Sequence, residues 1–372
     1  MTNVLYLITE LDVGGAERIL FDLVTHLDRA KYNPAVACLT GHGDVGRMLE
    51  KAGVPVHYLD MRGKYDLRLL FTLPRLLREL NIQILHTFLY HANITGGLAG
   101  RRAGVPVRIA SVHMLEFRRG RLFGERRSGR RFDRVVCVSR TVREHMLDKG
   151  RIPDEKLVLI PNGIDLKRFA VPRPDQVRTS IREELNIPLD APVFITVARF
   201  HPEKGPEDLV EVIRLILSNE QTAHFVVVGD GWQGDEAEEL TFSLSELSER
   251  VHFTGVRQDV PRLLTAADVF VFTSPCEGLG LAVLEAMAAG VPVAAFDVPG
   301  IREAAGEYAA LVEYGDCAAL ADSAIKLARD PASARALIEG AHRRVRDEFS
   351  LEKMVAQTAQ LYETLLREKK IV

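Results

Sequence analysis

The chain reads as α/β, with two Rossmann-like, doubly wound parallel sheets in succession. Three features carry that reading. Short apolar runs alternate with amphipathic helical segments through the first half. A proline-bearing stretch, residues 170–192 with Pro172, Pro174, Pro188 and Pro192, interrupts the alternation as a connection would. The alternation then resumes and runs to the C-terminus. At 372 residues there is room for two domains, since one typically takes ~100–200 residues. A doubly wound domain places its ligand crevice at the C-terminal ends of its strands. Two such domains facing each other therefore predict one interdomain cleft.

Each element follows from its local pattern. Asn3–Ile8 is an apolar run of strand length, and Ala16–Leu27 carries apolar residues at helical spacing. Ala35–Leu39 and Val56–Leu59 are strands around a helix at Val45–Ala52. Leu67–Leu80 is a helix with Pro74 as a kink point. Ile82–His86 is a strand, and Ala92–Arg102 a helix closing near Gly104. Arg108–His113, Arg134–Val138 and Lys156–Ile160 are strands, the last entering the turn Pro161-Asn162-Gly163. In the second half Val193–Ala198, His224–Gly229, Val251–Phe253, Val269–Phe272 and Val293–Phe296 are strands. Glu207–Leu217, Asp235–Ser248, Leu281–Ala289, Ala318–Arg329 and Ser333–Phe349 are helices. A last helix, Leu351–Leu366, is apolar at Met354, Leu361 and Leu365 and packs on the core. The expected division is a first domain at 1–168, a second domain at 169–350, and a closing helix within 351–372.

Composition narrows the function classes. Hydrophobic residues make up 47% and charged residues 27%, the balance of a globular protein. No apolar run approaches the ~18 residues of a membrane span, and the N-terminus shows no signal-peptide pattern. Cys38, Cys137, Cys276 and Cys317 are scattered without a C-x-x-C pair, which suits reduced thiols and a cytoplasmic location. Net charge is −3, yet residues 1–168 hold 28 Lys and Arg against 18 Asp and Glu, while the remainder is acidic. The basic surplus concentrates in Arg118–Arg134, with eight arginines against Glu125 and Asp133. That segment reads either as a solvated helix face or as a patch for an anionic membrane surface, which would make the protein peripheral on its inner face, or for a phosphate-bearing acceptor. No base-reading motif accompanies it, so nucleic acid is not an expected partner.

Residues 272–292, FTSPCEGLGLAVLEAMAAGVP, carry the most chemistry. A buried strand ends at Thr273-Ser274-Pro275, a glycine turn follows, and a helix begins at Leu281. Such a turn directs free N–H groups at an anion. Glu277 lies in the turn and Glu285 about one turn into the helix, a carboxylate on each side of the anion site. An ordinary βα unit with Glu285 near a helix start would read the same way. In Val197-Ala198-Arg199-Phe200-His201-Pro202-Glu203-Lys204-Gly205, the cations Arg199 and Lys204 stand at a strand end and its loop, where they suit a diphosphate; two exposed surface cations are the plainer reading. Gly14-Gly15 between the first strand and helix lets backbone approach a ligand, or makes only a tight turn. Gly229-Asp230-Gly231-Trp232-Gln233-Gly234 matches G-x-G-x-x-G, but the next strand ends in Thr254-Gly255 with no carboxylate for a ribose. His86, His91 and His113 lack metal-ligand spacing. His113 is the best functional candidate of the three, at a strand end entering the basic segment. There is no D-x-D, P-loop or G-x-S-x-G.

Together these motifs resemble the retaining glycosyltransferases of family 4, with the two-domain GT-B fold. The resemblance rests on Gly14-Gly15-Ala16-Glu17, His113, Val138-Ser139, Pro161-Asn162-Gly163-Ile164-Asp165, Arg199 with Lys204-Gly205, Gly229-Asp230-Gly231, and above all Glu277 to Glu285. It implies that the last helix crosses back onto the N-terminal domain. It implies a nucleotide-sugar donor on the C-terminal domain and an acceptor, lipid-linked or saccharide, on the N-terminal one. Arg199 and Lys204 would bind the diphosphate, helped by the backbone of Gly280, Leu281 and Ala282. Glu285 would accept from the ribose hydroxyls, and Glu277 would face the donor sugar. The backbone near Val256-Arg257 would read the base, Gly14 and Gly15 would approach the phosphates, and His113 would contact the donor sugar. The implied reaction needs no metal and no cofactor. Two departures stand out. Leu279 follows Gly278 where relatives often carry an aromatic, and Val298-Pro299-Gly300-Ile301-Arg302-Glu303 is a looser match. A GT-B nucleotide-sugar epimerase is the alternative function, and an NAD-dependent dehydrogenase the weaker one.

Overall fold

The structure, a computed structural model, describes residues 1–63, 66–172, 174–231, 237 and 240–371. It divides into two compact units, Met1–Gly163 with Leu351–Val372, and Ile164–Ser350. The break falls after Gly163 because the Ile164 N–H donates to the Phe349 carbonyl at 2.7 Å and Ile164 bridges to Ser350.

The first unit is built on a parallel sheet in the order β3-β2-β1-β4-β5-β6-β7. Its strands are β1 (Thr2–Ile8), β2 (Tyr32–Cys38), β3 (Val56–Tyr58), β4 (Ile84–Phe88), β5 (Val107–Val112), β6 (Arg134–Cys137) and β7 (Leu157–Leu159). The connecting helices are α1 (Gly15–His26), α2 (Asp44–Lys51), α3 (Leu69–Glu79), α4 (Tyr90–Ala103), α5 (Arg119–Gly129) and α6 (Arg140–Asp148). Parallel strands covered on both faces need apolar side chains on both, and Val4 to Ile8 are fully buried without a break. Alternate residues of a strand point to opposite faces. Leu5, Leu7 and Leu85 enter a core with Leu73 and Leu77 of α3 and Ala92 and Ala99 of α4. Each such buried leucine contributes about 1.5–3 kcal/mol. Tyr6, His86, Phe88 and Ser111 take the other face, since the register aligns Tyr6 with His86 and Phe88 with Ser111.

The second unit repeats the plan in the order β10-β9-β8-β11-β12-β13. Its strands are β8 (Val193–Val197), β9 (His224–Val228), β10 (Val251–Gly255), β11 (Val269–Phe272), β12 (Val293–Phe296) and β13 (Ala310–Val312). Its helices are α7 (Leu166–Phe169), α8 (Pro174–Glu184), α9 (Pro206–Asn219), α10 (Val260–Ala266), α11 (Leu281–Ala288), α12 (Pro299–Ala305), α13 (Cys317–Arg329) and α14 (Pro331–Glu348). Asp330 starts α14 by accepting from the Ala332 and Ser333 amides, with Pro331 at the first helical position. The final helix, α15 (Leu351–Glu368), belongs to the first unit, where it covers the Tyr6–His86 face.

Two expectations change. Residues 170–192 are not merely a connection, because they contain α8. That helix is pinned by Arg182, a fully buried guanidinium bonded to the carbonyls of Ala266, Pro188, Leu189 and Ala191 and to Asp268. The helix expected at Asp235–Ser248 falls partly outside the described residues, and Phe242–Arg250 forms a 3-10 helix instead. Among the described residues, no helix is long and apolar enough to cross a membrane.

Candidate functional site

In both sheets the strand order reverses once, between β1 and β4 and between β8 and β11. Ligands of open α/β sheets bind outside the carboxyl ends of the strands at such a reversal. In the second unit the β8–β11 ladder pairs only Val269 with Phe194 and Phe270 with Ile195, while the β8–β9 ladder runs on to Val197 and Val228. The two strands therefore part before their ends. The loops leaving them carry Arg199 and Lys204-Gly205 on one side and Glu277-Gly278 and Gly280 on the other.

Those loops are fastened to each other by hydroxyls. Thr273 donates to the carbonyls of Gly205 (3.1 Å) and Lys204 (3.3 Å), and Ser274 donates to that of Glu203 (2.8 Å). Both side chains are almost wholly buried. Gly205 closes the Pro202–Lys204 turn at φ +62°, and a Cβ there would lie 2.6 Å from the Thr273 carbonyl oxygen. Only glycine meets both demands. The result is that Lys204 Nζ stands 2.5 Å from Glu277 Oε1, half-buried on both sides. The structure thus pairs two side chains to which the sequence assigned separate ligand groups.

The Glu277 turn runs into α11 through Gly280, which caps the helix without a side chain. The N–H groups of Leu281 and Ala282 donate to no described acceptor, while those of Val283 and Leu284 return to the Gly280 carbonyl. Two amides at the positive end of the helix thus remain for an anion. Glu285 is half-buried on the first turns of α11. Leu279 turns into the core, 2% exposed, so it lines no ligand surface. Gly300, at the start of α12, supports the turn: a Cβ on it would sit 2.2 Å from the Glu277 carbonyl oxygen. Thr273, Ser274 and Gly300 are the parts that sequence reasoning missed. The hydroxyl pair at the strand end was the one available signal.

Around this centre, Arg199 is exposed and makes no ion pair among the described residues. Gly229 approaches Ala198 so closely that a Cβ would fall 2.0 Å from the Ala198 carbonyl oxygen, and Phe200 N–H donates to Asp230. Gly229-Asp230-Gly231 therefore packs against the Arg199 loop. Its continuation from Trp232 to Gly234 lies outside the described residues. Val256 is exposed beyond β10, and Arg257 is committed to Asp259 at 2.7 and 2.9 Å and to Glu184 at 2.6 Å. Those carboxylates hold the Arg257 guanidinium above its ordinary range. The Arg257 side chain is thereby taken up, while Val256 and the backbone at 256–257 stay accessible.

In the first unit, Gly14 is extended and caps α1, with Gly15 exposed as its first residue. His113 leaves β5 with its ring stacked on Phe88, centroids 5.3 Å apart, and neither ring nitrogen has a hydrogen-bond partner. Burial pushes it down to about 4, so the ring is neutral at physiological pH. His86 is a core histidine held by Ser111 and Tyr362, and His91 lies edge-on to Tyr90. Leu89, between Phe88 and Tyr90, holds φ +71° and ψ 160°, a conformation that costs a non-glycine residue ~1–3 kcal/mol and is commonest at functional sites. Among the described residues no group of three His, Cys, Asp or Glu could hold a metal ion.

The basic segment forms α5 and its approach. Glu116 is fixed by His145, Arg121 and the Arg118 amide, and Arg121 lies over the Tyr90 ring at 5.2 Å. Met114, Phe117 and Phe123 are left more than half exposed beside the arginines. Glu125 faces inward, with Oε2 buried and unpartnered, and burial pushes its carboxyl up to about 7.

Comparison with known proteins follows the same division. Residues 13–168 match the model for Glycosyltransferase Family 4, and residues 177–344 match the model for Glycosyl transferases group 1. The chain is 30% identical over 246 residues to UDP-Gal:alpha-D-GlcNAc-diphosphoundecaprenol alpha-1,3-galactosyltransferase of Escherichia coli, covering 63% of each. It is 31% identical over 242 residues to N-acetyl-alpha-D-glucosaminyl L-malate synthase of Bacillus anthracis, covering 64% of this chain and 61% of that one. These matches span less than two thirds of either relative's length. Alpha-maltose-1-phosphate synthase of Mycolicibacterium smegmatis is 30% identical over 308 residues, 75% of this chain and 78% of that one. Among solved structures, HepE of Anabaena in complex with UDP and glucose superposes with a TM-score of 0.85 over 98% of this chain and 100% of its own, at 22% identity. Sucrose-phosphate synthase from Thermosynechococcus elongatus gives 0.79 over 99% and 100%, also at 22%. At that identity the likeness is one of fold.

Proposed function

The chain belongs to the family 4 glycosyltransferases and has their GT-B fold, and on that premise we propose that it is a retaining glycosyltransferase using a UDP-sugar. The acceptor is lipid-linked or a polysaccharide, in cell-envelope or exopolysaccharide biosynthesis. The observation that most supports this is the Lys204–Glu277 contact at the β8–β11 reversal, beside the two unused amides of α11.

Cleavage of the C1–O bond of a nucleotide sugar throws negative charge onto the leaving diphosphate. Preorganised donors aimed at that charge lower the barrier without reorganising during the reaction. An ammonium has three N–H donors. Glu277 takes one from Lys204, leaving two for phosphate oxygens, each worth about 1.5–3 kcal/mol. Arg199 and the amides of Gly280, Leu281 and Ala282 complete the clamp, with Gly14 and Gly15 approaching the phosphates. Glu277 also accepts from a donor-sugar hydroxyl, Glu285 from the ribose hydroxyls, and the backbone of Val256 and Arg257 reads the base. His113, neutral, exchanges one hydrogen bond with the donor sugar. Fixed cations and amides supply the positive charge, so the reaction proceeds without a metal or cofactor. No carboxylate in the sequence is an obvious nucleophile, which favours front-face substitution with retention. The arginines of α5, with the exposed Phe123 among them and the exposed Met114 and Phe117 just before the helix, suit an anionic membrane surface that presents the acceptor.

The test is release of nucleotide diphosphate from UDP-, GDP- and ADP-sugars, with acceptor-bearing vesicles of zwitterionic or anionic lipid, at low and high salt. A UDP-sugar should be turned over only with acceptor, fastest on anionic vesicles at low salt. Conversion of the donor sugar without acceptor would make the protein an epimerase. Turnover of only a GDP- or ADP-sugar would overturn the donor class, and indifference to lipid charge and salt the membrane surface.

A further inference from the structure

The His113 ring is held by nothing but packing. Its two nitrogens are unpartnered, and its recorded ring contact is the stack on Phe88. Phe88 in turn lies against the His86 ring, centroids 4.7 Å apart, and against Tyr6 at 6.2 Å. His86 is fixed at both nitrogens, Nε2 to Ser111 Oγ at 2.7 Å and Nδ1 to Tyr362 Oη at 2.6 Å. Tyr362 donates on to Tyr6 Oη at 3.1 Å. With Tyr362 donating to Tyr6, the His86 Nδ1–H donates to Tyr362 and Nε2 accepts from Ser111. The ring is thereby neutral, as its burial demands. All of these groups lie on one face of the sheet, and Tyr362 alone among them comes from α15, more than two hundred residues further along the chain.

We propose that Tyr362 is a positioning residue for His113: through His86 and Phe88 it sets the orientation of the ring at the end of β5, so that the last helix takes part in the chemistry of the donor sugar. The catalytic half of this rests on the reading that His113 contacts that sugar. Removing the Tyr362 hydroxyl leaves a buried His86 donor unpaired, a cost that is relieved only if the ring turns. A turned His86 no longer supports Phe88 in the same place, and His113 has no hydrogen bond of its own to resist. Tyr32 provides the control. It touches the same helix, stacking edge-on against Tyr362 and donating to the Ala359 carbonyl at 3.3 Å, but it does not bond His86.

The experiment compares Tyr362→Phe, Phe88→Leu and Tyr32→Phe in the full chain. It records the ring ¹⁵N signal of His113, assigned by its loss in His113→Gln, together with kcat and KM for nucleotide diphosphate release. Tyr362→Phe and Phe88→Leu should both shift the His113 signal and lower kcat about tenfold, the scale of a small misplacement at a reacting centre. Tyr32→Phe should do neither. An unmoved His113 signal in Tyr362→Phe, or equal effects of Tyr362→Phe and Tyr32→Phe, overturns the proposal. If His113→Gln turns over at the unmodified rate, the donor-sugar role of His113 fails, and the ring signal then decides the positioning on its own.

Discussion

At the scale of single residues, function depends on backbone approaches that admit no side chain. Gly300 is the clearest case, because the atom it would strike is the carbonyl of Glu277 and not the end of a flexible side chain. Gly300→Ala should push the Glu277 turn away and raise the donor KM about tenfold, or 1.4 kcal/mol. Gly104→Ala makes the comparison. Gly104 closes α4 at φ +77° with nothing near its Cβ position, so alanine there should cost about 1–2 kcal/mol of stability and leave KM alone. Steady-state kinetics beside urea unfolding separates the two, and equal KM values would refute the Gly300 argument. Much at this scale was legible in the sequence. Glu277, Lys204 and the amides of Leu281 and Ala282 do gather at one strand reversal, because a glycine turn between strand and helix has a stereotyped geometry. Gly300 was illegible, since its contact joins two loops that local pattern does not relate. The Lys204–Glu277 pair was illegible for the same reason, depending as it does on Thr273 and Ser274 gripping the other loop.

At the scale of elements, the alternation of apolar runs revealed the strands well, because parallel strands buried on both faces are almost wholly apolar. Helices held by polar groups leave a weaker trace. α8 is anchored by the buried Arg182, which reads in a sequence as a surface residue. α5 buries Glu125, Ser128 and Gly129 and so shows no apolar stripe. Its attachment should depend on pH. Burial, with a smaller push from Glu116 against the pull of Arg121, raises the Glu125 carboxyl from 4.5 to about 7. The folded chain therefore holds this proton more tightly than the unfolded chain. The stabilisation is full below pH 4.5 and is lost as pH rises through 7. Glu125→Gln should accordingly raise the Tm above that of the unmodified protein at about pH 8, with the gain shrinking as pH falls toward the ordinary glutamate range. A gain that does not vary with pH would show that Glu125 does not titrate in its buried site.

At the scale of the whole molecule, the chain repeats one doubly wound plan and gives the copies opposite charge. Length and the restart of the alternation after residue 192 made the two copies legible. The assignment of α15 to the first unit rests on the Tyr362–His86–Tyr6 contacts, which span most of the chain and leave no local trace. The central claim is that the second copy holds the leaving diphosphate with Lys204 and the start of α11, while Glu285 holds the ribose. The most direct measurement is the rate of nucleotide diphosphate release by Lys204→Ala and Glu285→Gln beside the unmodified protein, on the same donor and acceptor. Lys204→Ala should lower kcat by ~10²–10³, as the loss of one preorganised donor does, and Glu285→Gln should act mainly on the donor KM. Release unchanged in both variants would contradict the account.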